Sequence, residues 1–343
     1  MKVDRREYLE RFTTFVAGSP LAQSQRGGGA PPNDRLAPVL ELVNVPEFES
    51  MAKLVLSPER YDSISGGHRR SFDKMTLRQR LMVYAMDLDL TTTLFGYEMF
   101  TPILVGPVSD QTHLHSDGQL GTARGASAAK AIMVATNDSD HPVDELIAAS
   151  DEPVWYQVYA DSNTAHDEAS RSVAAGCQAV CVTIGVSSSH SPVATDWSVV
   201  ERVIQEVDVP VVVKGIMNSS DAQAAVDRGA QGVVISNHGG LAGGEGALPI
   251  DVLPAVADVL TEQVPIIVDG SFRRGTDVLK GLALGATAVM VARPPMWGLA
   301  AYGAEGVQTV VEILQTELAR NMAASGRPTI AMIDRDLVRF DSK

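Results

Sequence analysis

Eight short apolar runs set the pattern of the chain: Pro102–Gly106, Ala131–Ala135, Val154–Tyr159, Ala179–Ile184, Pro210–Val213, Gly232–Ile235, Pro265–Val268 and Ala288–Val291. Each is four to six residues long, rich in Val and Ile, and free of polar alternation. That is the pattern of parallel strands buried on both faces. Amphipathic stretches with helix-start signals lie between them. Ser219-Ser220-Asp221 opens Ala222–Arg228, which Gly229 closes, and Thr195-Asp196 opens Trp197–Val207 before Pro210 starts the next run. His141-Pro142-Val143-Asp144-Glu145 opens another, with proline early in the first turn. A helical preamble covers Val45 to about Leu56, and a second helical segment is expected near Phe72 to Tyr84. Strand runs starting every 22 to 33 residues predict an α/β chain folded as a (β/α)8 TIM barrel with an N-terminal helical segment. A doubly wound open sheet is the rival, but no Gly-x-Gly-x-x-Gly follows the first run.

Composition narrows the class. Of 343 residues, 45% are hydrophobic and 20% charged, as in a soluble globular protein. A formal net charge of −14 argues against a nucleic-acid partner, which requires clustered Lys and Arg. Cys177 and Cys181, the two cysteines, read as buried apolar residues of a reducing compartment. Neither has His or Cys neighbours at zinc-type spacing, so no metal site is expected. No apolar run is long enough to span a membrane. The start, Asp4-Arg5-Arg6-Glu7-Tyr8-Leu9 followed by Phe12–Ala22, vaguely resembles a twin-arginine export signal, broken by Thr13, Thr14, Ser19 and Pro20. The expectation is therefore a cytoplasmic protein, with export through a degenerate signal as the alternative. A Gly/Pro linker, Gln23 to Pro32, sets residues 1–32 apart as an arm from a single barrel domain over 33–343.

A barrel gathers the residues after its strands on one face, where catalytic groups sit. Here these are Val108 and Ser109, Thr136 and Asn137, Gln157 and Tyr159, Thr183, Lys214, His238, Asp269-Gly270-Ser271, and Ala292-Arg293. His238 stands between a strand end and the pair Gly239-Gly240; it reads either as a catalytic base or as a structural hydrogen-bonding residue. Glycine-rich turns after the last two strands, with Arg293, suit a phosphorylated ligand held by backbone N–H groups and a guanidinium. Gln, Thr and Lys in the middle of the face suit a planar heterocycle, Lys214 countering negative charge on a ring nitrogen. Structural readings stand beside these: Lys214 as an ion-pair partner, Gln157 and Tyr159 as packing residues, and Arg293 bridged to Asp269.

Several segments resemble the FMN-dependent 2-hydroxy acid oxidases and dehydrogenases, a family that includes glycolate oxidase, lactate oxidase and mandelate dehydrogenase. The likeness runs from about Val45 to the C-terminus. It is carried by Val213-Lys214-Gly215, Ser236–Gly240, Asp269-Gly270-Ser271-Phe272-Arg273-Arg274-Gly275, Ala283-Leu284-Gly285-Ala286, and Arg293-Pro294 with Trp297-Gly298-Leu299-Ala300. Asp89–Gly96, Thr122-Ala123-Arg124 and Gln157-Val158-Tyr159 add to it. The resemblance implies FMN in the barrel mouth, its phosphate on backbone near Gly270 and Ser271 and on Arg293, with Arg273 close by, and Asp269, Ala292, Val108 and Ser109 as further cofactor-binding residues. It further implies Lys214 at the N1–C2 carbonyl edge, with Gln157, Thr183 and Thr136 on the pyrimidine ring. His238 would take the substrate proton while Tyr159 hydrogen-bonds the substrate. A ring-like homotetramer is implied as the assembly; the electron acceptor is not legible.

The departures concern the substrate. Where the family grips a substrate carboxylate with arginine two residues past the His-Gly step, this chain has Leu241. The segment that should read Thr-Val-Asp-Thr-Pro reads Thr183-Ile184-Gly185-Val186-Ser187, and no Arg follows before Arg202. The aspartate supporting the histidine has thus become Gly185, and a substrate-contacting tyrosine aligns with Ser63. Each lost charge-assisted bond costs about 1.5–3 kcal/mol. The first expectation is therefore an FMN enzyme oxidising a small-molecule substrate other than a simple 2-hydroxy acid. The second is conventional 2-hydroxy acid oxidation with a rearranged carboxylate site, supplied by Arg69 or Arg70. The third is a flavin-binding partner protein without catalysis. Arg69, Arg70, His113, His115 and His190 are the loop residues that could enter the mouth.

Overall fold

The computed structural model describes residues 35–78, 87–139, 141–161, 164–242, 246–260 and 262–340. The twin-arginine-like start, the linker and the arm boundary at Pro32 lie outside the described residues. In the compact unit that begins at Ala37, eight parallel strands close into a barrel. In chain order they are β1 (Ile103–Val105), β2 (Met133–Thr136), β3 (Val154–Tyr159), β4 (Ala179–Thr183), β5 (Val211–Ile216), β6 (Gly232–Ile235), β7 (Ile266–Val268) and β8 (Ala288–Val291). Each pairs with the next, and β8 closes on β1 through Val289 opposite Ile103. The eight apolar runs are these eight strands, and the open sheet is excluded.

The strands bury both faces, as their lack of alternation requires. Leu104, Val134, Trp155, Cys181, Val212, Val234, Ile267 and Met290 pack together with Leu94 and Met99 of a hairpin formed by Thr92–Leu94 and Tyr97–Met99. That hairpin's Phe95 reaches Trp155 with ring centroids 5.6 Å apart. Both cysteines are free and buried, and burial pushes each thiol up to about 12.

The helices follow their capping signals. α1 (Val45–Val55) starts at Asn44, whose side chain accepts from the Glu47 N–H. α2 (Pro58–Ile64) starts at Ser57 with proline in its first turn, a start that the strand-by-strand reading passed over. Around the barrel run α3 (Gly118–Ala128), α4 (Val143–Ala148), α5 (Ala165–Ala175), α6 (Trp197–Glu206), α7 (Ser219–Asp227), α8 (Pro249–Val259), α9 (Gly275–Ala283) and α10 (Arg293–Ser325), the last broken at Gly303. Asp196 caps α6 as expected. Asn218 rather than the serine pair caps α7, and Pro142 sits at the cap of α4 instead of inside it.

One expected helix is corrected. In the segment from Phe72, a four-residue helix, Arg70–Asp73, gives way to a strand, Met75–Leu77, antiparallel to Val338–Phe340 at the far end of the chain. A partner more than 260 positions away overrides local helical pattern. Residues 79–84, the remainder of that segment, lie outside the described residues.

Candidate active site

At the carboxyl ends of β5, β6 and β7, four side chains form one network. Lys214, at 6% exposure, donates to Ser236 Oγ at 3.0 Å and lies 3.4 Å from Asp269 Oδ2. Ser236 in turn donates to Asp269 at 2.7 Å. The Lys214 Nζ also stands 3.2 Å from His238 Nδ1, while His238 Nε2 meets the Ile184 carbonyl at 2.9 Å. A carbonyl only accepts, so Nε2 carries the proton and Nδ1 accepts from lysine. Desolvation, then the neighbouring Lys214 charge, push the imidazole down to about 3, so it is held neutral. The ion-pair reading of Lys214 is correct as geometry, and Lys214 rather than Arg293 is the ion-pair partner of Asp269.

Backbone exceptions make this packing possible. β5 carries a register shift between Lys214 and Ile216, with Gly215 at φ 113°. A Cβ at Gly215 would stand 2.4 Å from the Ile184 carbonyl oxygen and 2.6 Å from His238 Nε2. The bulge and the bare glycine therefore bring β4, β5 and the histidine together. His238 itself has φ 49°.

Beside this network lies a cradle for an anion. Gly270 and Ser271 after β7 both have positive φ, 94° and 62°, and with Arg273 and Arg293 they line a cavity of about 70 Å³. Arg273 is 7% exposed; it donates to the Phe272 and Gly66 carbonyls and stacks 4.6 Å over Trp297. Arg293 donates to the Ser65 carbonyl. Among the described residues neither guanidinium has a carboxylate within ion-pair distance. Burial and the charge of Arg293 lower Arg273 to about 9, and burial lowers Arg293 as well. Glu49, Asp269 and Asp277 offset part of this charge from beyond ion-pair distance, and an anion between the two guanidiniums would neutralise the rest. Gly67 closes the cradle, since a Cβ there would stand 2.8 Å from Ser271 Oγ and 3.0 Å from the Arg293 guanidinium.

A cavity of about 700 Å³ opens over the network and shares Gly239, Asp269, Ala292 and Arg293 with the cradle. Val108, Ser109, Gln157, Tyr159, Lys214, His238, Asp269, Ala292 and Arg293 line it, together with Leu241, Val186, His113, His190 and, from α2, Glu59, Arg60, Asp62 and Ser63. Thr183 is buried behind Gln157, donating to its Oε1 at 3.0 Å. Thr136 faces elsewhere: it bonds Gln119 and Asp138 and lines a separate pocket outside the barrel with His141 and Arg171. Among the described residues no cluster suits a metal ion.

The model of the FMN-dependent dehydrogenase family matches residues 65–192 and 185–340. This chain belongs to that family. Its cofactor is FMN, and the Arg273–Arg293 pair, without an ion-pair partner beside a turn of positive φ, fits the phosphate of such a group. A peroxisomal (S)-2-hydroxyacid oxidase of Arabidopsis thaliana is 30% identical, the match covering 88% of this chain and 98% of that one. Glycolate oxidase of Spinacia oleracea is 29% identical over 88% and 97% of the two chains. Among solved structures, a mandelate oxidase variant with (S)-mandelic acid superposes with a TM-score of 0.82 at 29% identity, covering 88% of this chain and all of that one. The chain is an FMN-dependent oxidoreductase of the 2-hydroxy acid oxidase type. Among the described residues no helix is long and apolar enough to cross a membrane.

The loop candidates separate cleanly. Arg69 is committed to Asp277 through two bonds of 2.8 and 3.0 Å and to the Ser271 carbonyl, and Arg70 bonds the Gly246 carbonyl. Neither lines the mouth. His115 packs at Gly303 and accepts from the Asp117 N–H. His113 and His190 do line the mouth, as does Arg60, which sequence reasoning missed because nothing local distinguishes it from a solvated helix cation. Leu241 is 44% exposed at the cavity edge.

Proposed function

We propose that the chain oxidises a CH–OH group (or a CH–NH group) of a small molecule other than a simple 2-hydroxy acid. The observation that carries this reading is one cavity that reaches both Arg293 of the cradle and the Lys214–His238 network, with Val186 in its lining and Leu241 at its edge. FMN, when bound, would supply the two-electron acceptor for the C–H bond. The chain's residues supply the rest. Gly270, Ser271, Arg273 and Arg293 would hold the phosphate, with Ala292 and Asp269 beside them, while Val108 and Ser109 line the larger cavity that would hold the rest of the cofactor. Lys214 places positive charge at the ring edge, Gln157 presents an amide whose orientation Thr183 fixes, and Thr136 supports that wall from outside.

His238 takes the hydroxyl proton. It is neutral and so carries a lone pair at physiological pH, but the burial and Lys214 charge that lower its pKa also disfavour the imidazolium, and both ring nitrogens are engaged. It must exchange one partner for the substrate hydroxyl. The Ile184 carbonyl is uncharged and supports the resulting imidazolium less than a carboxylate would. Anaerobic bleaching of the flavin across a panel of alcohols, amines and 2-hydroxy acids tests the reading. His238→Ala is expected to slow bleaching about 10²–10⁴-fold; equal rates would remove the histidine from the chemistry. The engaged nitrogens also favour a second reading, a flavin-binding partner protein that does not turn over, which multiple turnovers with any panel member would eliminate.

A further inference from the structure

Ser236 has no part in the chemistry of the cavity, yet every bond of its hydroxyl is fixed in direction. A carboxylate only accepts, and an ammonium or a backbone N–H only donates. The single hydroxyl proton therefore goes to Asp269 Oδ2 at 2.7 Å. The two lone pairs accept from Lys214 Nζ at 3.0 Å and from the His238 N–H at 3.2 Å. Lys214, His238 and Asp269 line the cavity, while Ser236, fully buried, stands behind them.

The backbone on either side of this hydroxyl is laced. The Ser236 N–H bonds the Ile216 carbonyl at 3.2 Å, and the Asp269 N–H bonds the Ile235 carbonyl at 3.0 Å. Hydroxyl and carboxylate thus ride on paired ends of β5, β6 and β7. The lysine, reaching them on a four-carbon stem, is the member of the group best able to change its place.

The distances show what the hydroxyl does. An ammonium and a carboxylate that bond directly close to about 2.7–2.9 Å. Lys214 Nζ and Asp269 Oδ2 stand 3.4 Å apart, with Ser236 Oγ bonded to both. In that place the ammonium is 3.2 Å from His238 Nδ1. A direct ion pair would draw the lysine toward Asp269 and set its charge against the carboxylate. The uncharged hydroxyl leaves that charge facing the cavity and the histidine.

We propose that Ser236 is a positioning residue, a wedge that keeps Lys214 and Asp269 from closing on each other and so holds the lysine charge at the flavin ring and beside His238. This rests on the placement of Lys214 at the ring edge given above. Positive charge there favours the electron-rich reduced ring, so a lysine drawn back onto Asp269 makes the flavin harder to reduce.

The test is the two-electron midpoint potential of the FMN-loaded protein, read by equilibration with reference dyes. Ser236→Ala is expected to lower it by about 30 mV, equivalent to a tenfold change in the reduction equilibrium. Lys214→Met, which fills the stem without the charge, should lower it by at least as much. Adding Ser236→Ala to Lys214→Met should then change nothing further, because the wedge has no charge left to hold. Should the alanine protein not fold, Ser236→Cys fills the same space with a much weaker acceptor and carries the same expectation. A wild-type potential in the serine variant would overturn the proposal. So would a serine effect that persists beside Lys214→Met, since Ser236 would then act without the lysine. Lys214→Met at the wild-type potential would instead refute the placement of Lys214 at the ring, and the wedge with it.

Discussion

Acid should unfold this protein partly through one side chain. His238 is held at about 3 against its ordinary 6.5, so below pH 6.5 the unfolded chain takes up a proton that the folded chain refuses. Stability from this group is complete above pH 6.5 and is lost as pH falls toward 3. Integrated over the two values, the loss is about 2 kcal/mol between pH 7 and pH 5, reaching about 4 kcal/mol at pH 3. The perturbation is His238→Asn, chosen because asparagine tolerates the left-handed backbone at this site and does not titrate. Urea unfolding of the flavin-free protein, followed by tryptophan fluorescence at pH 7 and pH 5, gives the difference for each variant. Other groups titrate alike in both and cancel. Wild type should lose about 2 kcal/mol more than His238→Asn over that interval. Equal losses would mean that His238 binds its proton near the ordinary pKa in the folded state, and the account of a desolvated imidazole beside Lys214 would be wrong.

Three further outcomes follow from the site. Arg293→Ala should weaken FMN binding by about 10- to 150-fold, the worth of one charge-assisted bond of about 1.5–3 kcal/mol, read by fluorescence titration of flavin. Leu241→Arg places a guanidinium at the mouth and should raise kcat/KM for mandelate by about tenfold or more; no gain would show that Leu241 does not face the substrate. Gly215→Ala forces a Cβ against the Ile184 carbonyl at a φ of 113°, and should cost about 2–4 kcal/mol in urea unfolding.

The barrel was legible because each strand announces itself locally: a buried strand needs Val, Ile and no alternation, wherever its neighbours are. The residues after the strands were legible for the same reason, so Lys214, His238, Asp269 and Arg293 meet where expected. What failed to show was commitment. Arg69 and Arg60 are both cations in the same stretch of sequence, yet only Arg69 finds Asp277, 208 positions away. His190 enters the mouth because a serine-rich turn reverses at positive φ, and Thr136 leaves it because Gln119 and Asp138 claim its hydroxyl. Such choices depend on distant partners, as does the strand at Met75–Leu77.

The stretch from Ile64 to Gly67 ties the preamble to the anion cradle. Carbonyls of Ile64, Ser65 and Gly66 accept from Trp297, Arg293 and Arg273 in turn, and Gly67 has no room for a side chain. An occupant that neutralises the two arginines relieves their repulsion and so strengthens the hold on these carbonyls. Ligand affinity and the local opening free energy of this stretch are then linked quantities. Slowed amide exchange at Ser65 to Arg69 would report cofactor occupancy without any optical signal, and proteolytic nicking near Gly66-Gly67 would be the first mark of its loss.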